Sequence, residues 1–411
     1  MTTTTTAAFS TVAVARRHRA SAAEFDAIAR DAAEPVVLTG CLDAWPLMAD
    51  LGGARGADAQ IGLLDGLVGR RRLHYTSIPA QQHGQLGYRD DGAATNFTFK
   101  ATKKKIVFSE FARILRRAVA DPASGAVYMQ SAPLGRFPEL EARVPDLPYL
   151  NGGPAGYRQL WIGSGGQVVN LHFDPTHNLI AMLAGEKRIT LVPPDNMADM
   201  YPAPLDCRLG DAIGSRVRLL DFDVERFPCA VRQLAKGRVA ELKPGEVLYI
   251  PPMWWHHVES FGLNVMINKW VPPVPGTHFG DLTANLIRGI LAYAEAPQSL
   301  RLRYRAFYSE VLFGEPAPAV AAPIGAESGV PDPAALARAN RHMVETARVM
   351  HGVPDCLRKV LPQLYDYYVF QVNGAPALST SDPQRFKRSL ARYARAVGAV
   401  GSIQRLFSRS A

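Results

Sequence analysis

Cysteine is scarce in this chain: there are four in 411 residues, at Cys41, Cys207, Cys229 and Cys356, and no two form a C-x-x-C pair. Thiols so scattered supply neither a zinc knuckle nor a disulfide framework, and free thiols in a reducing cytoplasm are expected. Long apolar runs are missing as well, and with them any stretch of membrane-spanning length. The opening residues, Met1–Ser10, are a threonine run without the basic start and apolar core of a signal peptide, so the reading is cytoplasmic. With only 20% charged and 9% aromatic residues, the composition excludes disordered, fibrous and coiled-coil proteins. No internal repeat is visible, which excludes a solenoid.

What is present is a 47% hydrophobic sequence, long enough for one large β-rich domain and a smaller one, or for two ordinary domains. The formal net charge of +9 comes from basic residues in short runs, Arg70–Arg72 and Lys103–Lys105 among them, and from the tail. Runs of this kind are ordinarily solvated faces. The tail beyond Ser381, where Asp382 is the only acid, is the better candidate for an anionic partner, nucleic acid included.

After about twenty loose residues, Ser21-Ala-Ala-Glu24 reads as a capping box opening a helix through Ala33. A buried strand, Pro35–Thr39, and the Gly40–Pro46 turn follow. Asn96–Phe99 alternates like a strand, and Ser109–Arg117 has helical spacing with a serine at its start. From Val127 to Val271 the sequence turns to short strands punctuated by Gly and Pro, the pattern of a β-sandwich or barrel. The candidate strands are 127–130, 159–162, 168–173, 179–183, 187–192, 246–250 and 264–270. Beyond Pro275 helical periodicity returns at Asp281–Glu295, Ala334–His351 and Pro383–Val397, with a Pro/Ala/Gly-rich linker over Gly314–Pro333. The expected domains are a flexible 1–20, a catalytic 21–275 and a helical 276–411.

The chemistry-bearing residues lie in the β-rich stretch. In Leu171-His-Phe-Asp-Pro-Thr-His-Asn178, His172 and Asp174 are two apart, so on a strand both side chains share one face. Farther on, Tyr249-Ile-Pro-Pro-Met-Trp-Trp-His256-His257 supplies a histidine after an apolar strand introduced by Pro244-Gly245. Two imidazoles and one carboxylate on one face of an octahedron leave three positions open, the arrangement of non-haem Fe(II) oxygenases. Between these segments, in Gly185-Glu-Lys-Arg188, Lys187 starts an inward strand where its ammonium can meet the distal carboxylate of a keto acid, while Arg188 points the other way. A lone H-x-D is most often a surface pair or a core histidine; it is the third histidine and the intervening lysine that make the set specific. His177, three positions past Asp174, should face away, and Trp45 reads as core.

These stretches, with Val127-Tyr-Met-Gln130, Pro193-Pro-Asp195, Asp221-Phe-Asp223, Gly245–Pro251 and Trp254–Ser260, resemble the JmjC and cupin-like (cupin 8) Fe(II)/2-oxoglutarate oxygenases. Within that family the pattern is most similar to the asparaginyl hydroxylase of hypoxia-inducible factor. The Gly40–Pro46 turn extends the resemblance to residues 21–275. It implies a mainly β fold, a double-stranded β-helix (jelly roll) with flanking helices and a helical C-terminal region. It also implies that His256, with His172 and Asp174, holds Fe(II), leaving His257 an outer or structural role. By the same resemblance Lys187, Tyr128, Asn178 and Asn268 contact 2-oxoglutarate, and Gln130, Trp270 and Val258 line the substrate channel. One departure is Val169, three residues before His172, where the family places a threonine hydroxyl.

The expected activity is a dioxygenase that hydroxylates a substrate C–H, with a protein side chain preferred over a small molecule or a tRNA base. A homodimer through the C-terminal helices is a further implied partner. The competing classes are a non-catalytic cupin acting as a binding module and a metal cupin without redox chemistry. The latter would want a further Glu or His beside the first pair, and Glu186 lies too far along.

Overall fold

The computed structural model describes residues 12–30, 34–86, 88–89, 98–99, 102–150, 158–202, 212–273 and 297–314. The expected helices at 281–295, 334–351 and 383–397, most of the linker and the basic tail lie outside the described residues. The protein divides into two compact units, the first holding residues 1–203 and 207–279, the second 204–206 and 280–411.

The first unit is mostly β. Its elements in order are β1 (Ala15–His18), α1 (Ala22–Arg30), β2 (Val36–Thr39), α2 (Pro46–Gly53), α3 (Ala57–Val68), β3 (Arg72–Pro79), β4 (Tyr88–Arg89) and β5 (Thr98–Phe99). There follow β6 (Thr102–Val107), α4 (Phe108–Ala120), β7 (Gly125–Pro133), α5 (Pro138–Glu141), β8 (Arg158–Gly163), β9 (Val168–Phe173) and β10 (His177–Val192). The last are β11 (Ile213–Gly214), α6 (Ala230–Leu234), β12 (Arg238–Leu242), β13 (Glu246–Ile250) and β14 (Trp255–Val271).

Two long antiparallel strands organise the barrel. The first half of β10 pairs with β13 and the second half with β12, while β14 lies along both halves. On its other edge β14 pairs with β9 through its first residues and with β8 through its last. Each long strand thus runs from one wall into the other. One wall is β1-β2-β13-β10-β14-β8-β7-β3-β6, and the other is β12-β10-β14-β9-β11. The passage between walls occurs where the β10–β14 register slips between Met182 and Glu186. Gly185 sits there at φ +75, and a Cβ would meet Leu263 O at 2.1 Å, so only glycine fits the corner. The two strands expected at 179–183 and 187–192 are therefore one bent strand.

Strand alternation sorts the side chains. Leu179, Ala181, Val247, Tyr249, Val265 and Ile267 face outward into a large apolar cluster shared with α1–α5. α4 shows why the helices dock: Phe108, Phe111, Ala112, Leu115 and Ala118 form one buried stripe. Each large apolar side chain buried there contributes about 1.5–3 kcal/mol. The expected capping box on α1 is formed, with Glu24 N donating to Ser21 Oγ at 3.2 Å and Ser21 N donating to Glu24 Oε2 at 2.7 Å. Residues of the opposite parity, Ile180, Met182, Leu248, Ile250 and Val258, fill the barrel interior, joined by Ile189 and Leu191, whose parity is switched by the register slips between Met182 and Glu186. Trp45 is core.

In the second unit, α7 (Gln298–Phe313) presents Leu300, Leu302, Phe307, Val311 and Leu312 to solvent. No helix among the described residues is long and apolar enough to cross a membrane.

Candidate metal centre

His172, Asp174 and His256 converge, with one donor atom from each lying within 4.8 Å of the others. All three are buried. Asp174 lies just past the end of β9 rather than on it, and His256, which follows the apolar strand β13 as expected, is itself the second residue of β14. His172 and His256 are direct cross-strand partners. The turn between β13 and β14 is pinned to the same place, because Met253, left-handed at φ +69, donates its N–H to Asp174 O at 2.9 Å.

The imidazoles are set alike. His172 Nδ1 lies 2.8 Å from Asn170 O and His256 Nδ1 lies 3.0 Å from Trp254 O, each a carbonyl two residues upstream. A carbonyl only accepts, so both rings carry the proton on Nδ1 and turn the Nε2 lone pair to the common point. Burial and the neighbouring His256, partly offset by Asp174, push His172 down to about 4, so it is neutral and able to ligate near pH 7. Asp174 Oδ2 accepts from Trp270 Nε1 at 3.0 Å and Asn178 Nδ2 at 3.2 Å. Behind Asn178 the bonds continue: Asn268 Nδ2 donates to Asn178 Oδ1 at 3.1 Å, and Trp161 Nε1 donates to Asn268 Oδ1 at 2.7 Å. This donor set, two imidazoles aimed through Nε2 and an oriented carboxylate with spare lone pairs, fits a divalent metal with open positions.

Lys187 stands in the same interior. It is 2% exposed, while Arg188 beside it is exposed. Its Nζ donates to Ser260 Oγ at 2.6 Å and lies 5.7 Å from the Tyr128 ring centroid. No carboxylate among the described residues pairs with it. Burial alone pushes the ammonium down to about 7, and pushes the Tyr128 phenol upward.

Gln130 Oε1 accepts from Thr76 Oγ1 at 3.2 Å. Val258 is buried in the interior cluster, and Val169, its cross-strand partner, packs against the same cluster. Three residues separate Val169 from His172, which on a regular strand puts them on opposite faces; the irregularity in β9 opposite His256–Val258 returns both to the interior. Trp270, expected in the substrate channel, is bonded to Asp174, and its ring meets Trp161 edge-on at 5.9 Å. His177 Nδ1 bonds Tyr249 Oη at 2.8 Å on the outer side, away from the ligands. His257 is fully buried with neither nitrogen hydrogen-bonded among the described residues, and burial first, then His172 and His256, push it down to about 3.

Sequence reasoning did not single out Trp161, Ser260, Thr76 or Gln167. Trp161 and Ser260 sat inside segments read for strands and motif, but nothing local marks which face they take.

Among curated proteins, the lysine-specific demethylase JMJ30 of Arabidopsis thaliana is 28% identical over 241 residues, 57% of this protein and 49% of the relative. Jumonji C domain-containing protein 5 of Drosophila melanogaster is 34% identical over 110 residues, 27% of this protein and 26% of the relative. Human HSPB1-associated protein 1 is 33% identical over 147 residues, 34% of this protein and 29% of the relative. The matches thus span about half or less of these relatives. The cupin-like domain model matches residues 22–276, more than half of the sequence and every strand from β2 to β14, and the chain belongs to that family.

Proposed function

We propose that this protein is an Fe(II)- and 2-oxoglutarate-dependent oxygenase that hydroxylates a C–H bond of a protein side chain. The observation that carries the reading is Lys187. A fully buried ammonium with a hydroxyl and an aromatic ring for company is costly unless an anion joins it. Lys187 and Ser260 are cross-strand partners, and Ser260 shares the inward face of β14 with His256. Four residues along a strand separate them, about 13 Å, a gap that a lysine side chain and a five-carbon dicarboxylate together can span.

His172, Asp174 and His256 would hold the iron, whose chemistry is the activation of dioxygen at the expense of 2-oxoglutarate, released as succinate and carbon dioxide. The rest is positioning. Lys187 anchors the distal carboxylate, with Tyr128 beneath it. Asn178 and Asn268 orient Asp174 and present amides to the same interior, while Gln130, Trp270 and Val258 border the substrate's approach. Names of the relatives support a protein substrate, since a lysine demethylase acts on side chains of other proteins. Hydroxylation of an N-methyl group and of a carbon within a side chain are the same step on different substrates. The catalytic part is residues 21–275; residues 276–411 are assigned to partner engagement, pairing of two copies included, and the apolar side chains that α7 exposes support this. The cytoplasm is the proposed compartment.

The test is turnover of the purified protein with Fe(II), 2-oxoglutarate and dioxygen. Succinate release, coupled to a gain of one oxygen atom in a protein or peptide, is expected. A protein that retains iron but forms no succinate under any condition would contradict the reading and favour a binding module.

A further inference from the structure

Gln167 lies at the corner around Lys187, and its role there rests on the oxygenase reading above. It ends the Gly-Ser-Gly-Gly-Gln turn between β8 and β9, a place where glutamine ordinarily meets solvent. Here it is 0% exposed. Neither Nε2 nor Oε1 has a hydrogen-bond partner among the described residues. Its backbone is locked to the serine that serves Lys187: Ser260 N donates to Gln167 O at 3.2 Å, and Gly166 N donates to Ser260 O at 2.8 Å. Its side chain lies over Gly163, where a Cβ would come 2.0 Å from Gln167 Nε2 and 3.0 Å from a Tyr128 ring carbon.

Lys187, the Tyr128 ring and an unpaired amide therefore occupy one corner of the interior. An amide with both ends unpaired in such a place destabilises the ligand-free protein, and native proteins keep few of them. At the same time position 169, where the family resemblance leads one to expect a hydroxyl, carries a valine packed into the interior. The corner has a spare donor, and the neighbouring strand lacks one.

We propose that the Gln167 carboxamide is a further binding residue for the keto acid, with Nε2 donating to the distal carboxylate held by Lys187 in place of the hydroxyl that Val169 does not offer. The pocket then selects dicarboxylic 2-oxo acids over monocarboxylic ones, because only the former bring an anion to this corner.

The experiment titrates the full-length protein, loaded with Fe(II) under anaerobic conditions, with 2-oxoglutarate and with 2-oxobutanoate, which lacks the distal carboxylate. In Gln167→Met, which keeps the shape and removes both polar ends, the Kd for 2-oxoglutarate should rise about tenfold or more. The Kd for 2-oxobutanoate should hold, and the ligand-free Tm should stay level or rise. A Met variant that binds 2-oxoglutarate like wild type, or that loses both acids equally, overturns the proposal. Should that variant fail to fold, Gln167→Glu decides: a carboxylate offered to Lys187 should weaken 2-oxoglutarate selectively, and unchanged affinity overturns the proposal. A wild type that binds neither acid overturns the oxygenase reading together with this one, a result distinct from either variant outcome.

Discussion

At His256, one end of the inward face of β14, each ligand imidazole donates from Nδ1 to a named carbonyl, and Asp174 is gripped by an indole and an amide. At Ser260, the other end, a buried ammonium has one hydroxyl, and a fully buried amide has no hydrogen-bond partner among the described residues. The difference separates two kinds of preparation. The first end is rigid before anything binds, as a metal's fixed coordination geometry demands. The second end is left in electrostatic debt that an anion cancels on arrival, so that part of the anion's affinity is relief of an existing cost.

The largest effect that would break this contrast is removal of a ligand. His172→Ala or Asp174→Ala should lower Fe(II) affinity by more than about a hundredfold, beyond what loss of an outer partner does, as read by calorimetry or retained metal. Next, Lys187→Met should weaken 2-oxoglutarate by about a hundredfold and leave metal affinity alone, whereas Arg188→Met should change neither; loss of metal in Lys187→Met would mean the two ends are one unit. A smaller effect, about tenfold in metal affinity, is expected of Trp270→Phe, which removes one of the two bonds orienting Asp174.

The smallest expected effect is on pH, and its sign is diagnostic. The Lys187 pKa is about 7 in the folded protein against an ordinary lysine value of 10.5, so between these values the unfolded protein binds more protons. Its burial penalty is fully present below pH 7 and is relieved as pH rises from 7 toward 10.5, stabilising the ligand-free protein. Affinity for 2-oxoglutarate should move the opposite way, falling just under about tenfold from about pH 6.5 to about pH 8 as the ammonium is lost. Lys187→Met should flatten both curves; parallel rather than opposed curves in the wild type would contradict the role given to this lysine.

How much of this was legible in the sequence depended on whether a residue's neighbours also announced its face. β9 and β13 read correctly because their alternation and flanking turns agree. The first half of β14 did not, since Trp-Trp-His-His-Val has no alternation, and its pairing with β9 and β10 is a long-range matter. β3 and β6 were hidden by Arg72 and by Lys103–Lys105, whose charges mask strands at a sheet margin. α2 and α3 were hidden by Gly52, Gly53, Gly62 and Gly66, poor helix formers that tertiary packing overrides. In the site, the H-x-D spacing and the lysine were visible, but the register irregularity that brings Val169 round to the interior was not. Gln167 was invisible because a glutamine in a glycine-rich turn reads as loop, and its burial comes from Gly163 and Ser260 on strands either side.

The most direct test of the central claim, that one interior binds a metal at its rigid end and a keto dicarboxylate at its lysine end, is anaerobic reconstitution with Fe(II) and 2-oxoglutarate, followed by visible absorption. A weak charge-transfer band should form in wild type, vanish in His172→Ala, and in Lys187→Met need far more 2-oxoglutarate to appear. A wild type that holds iron but gives no band, or a band indifferent to Lys187, would contradict it.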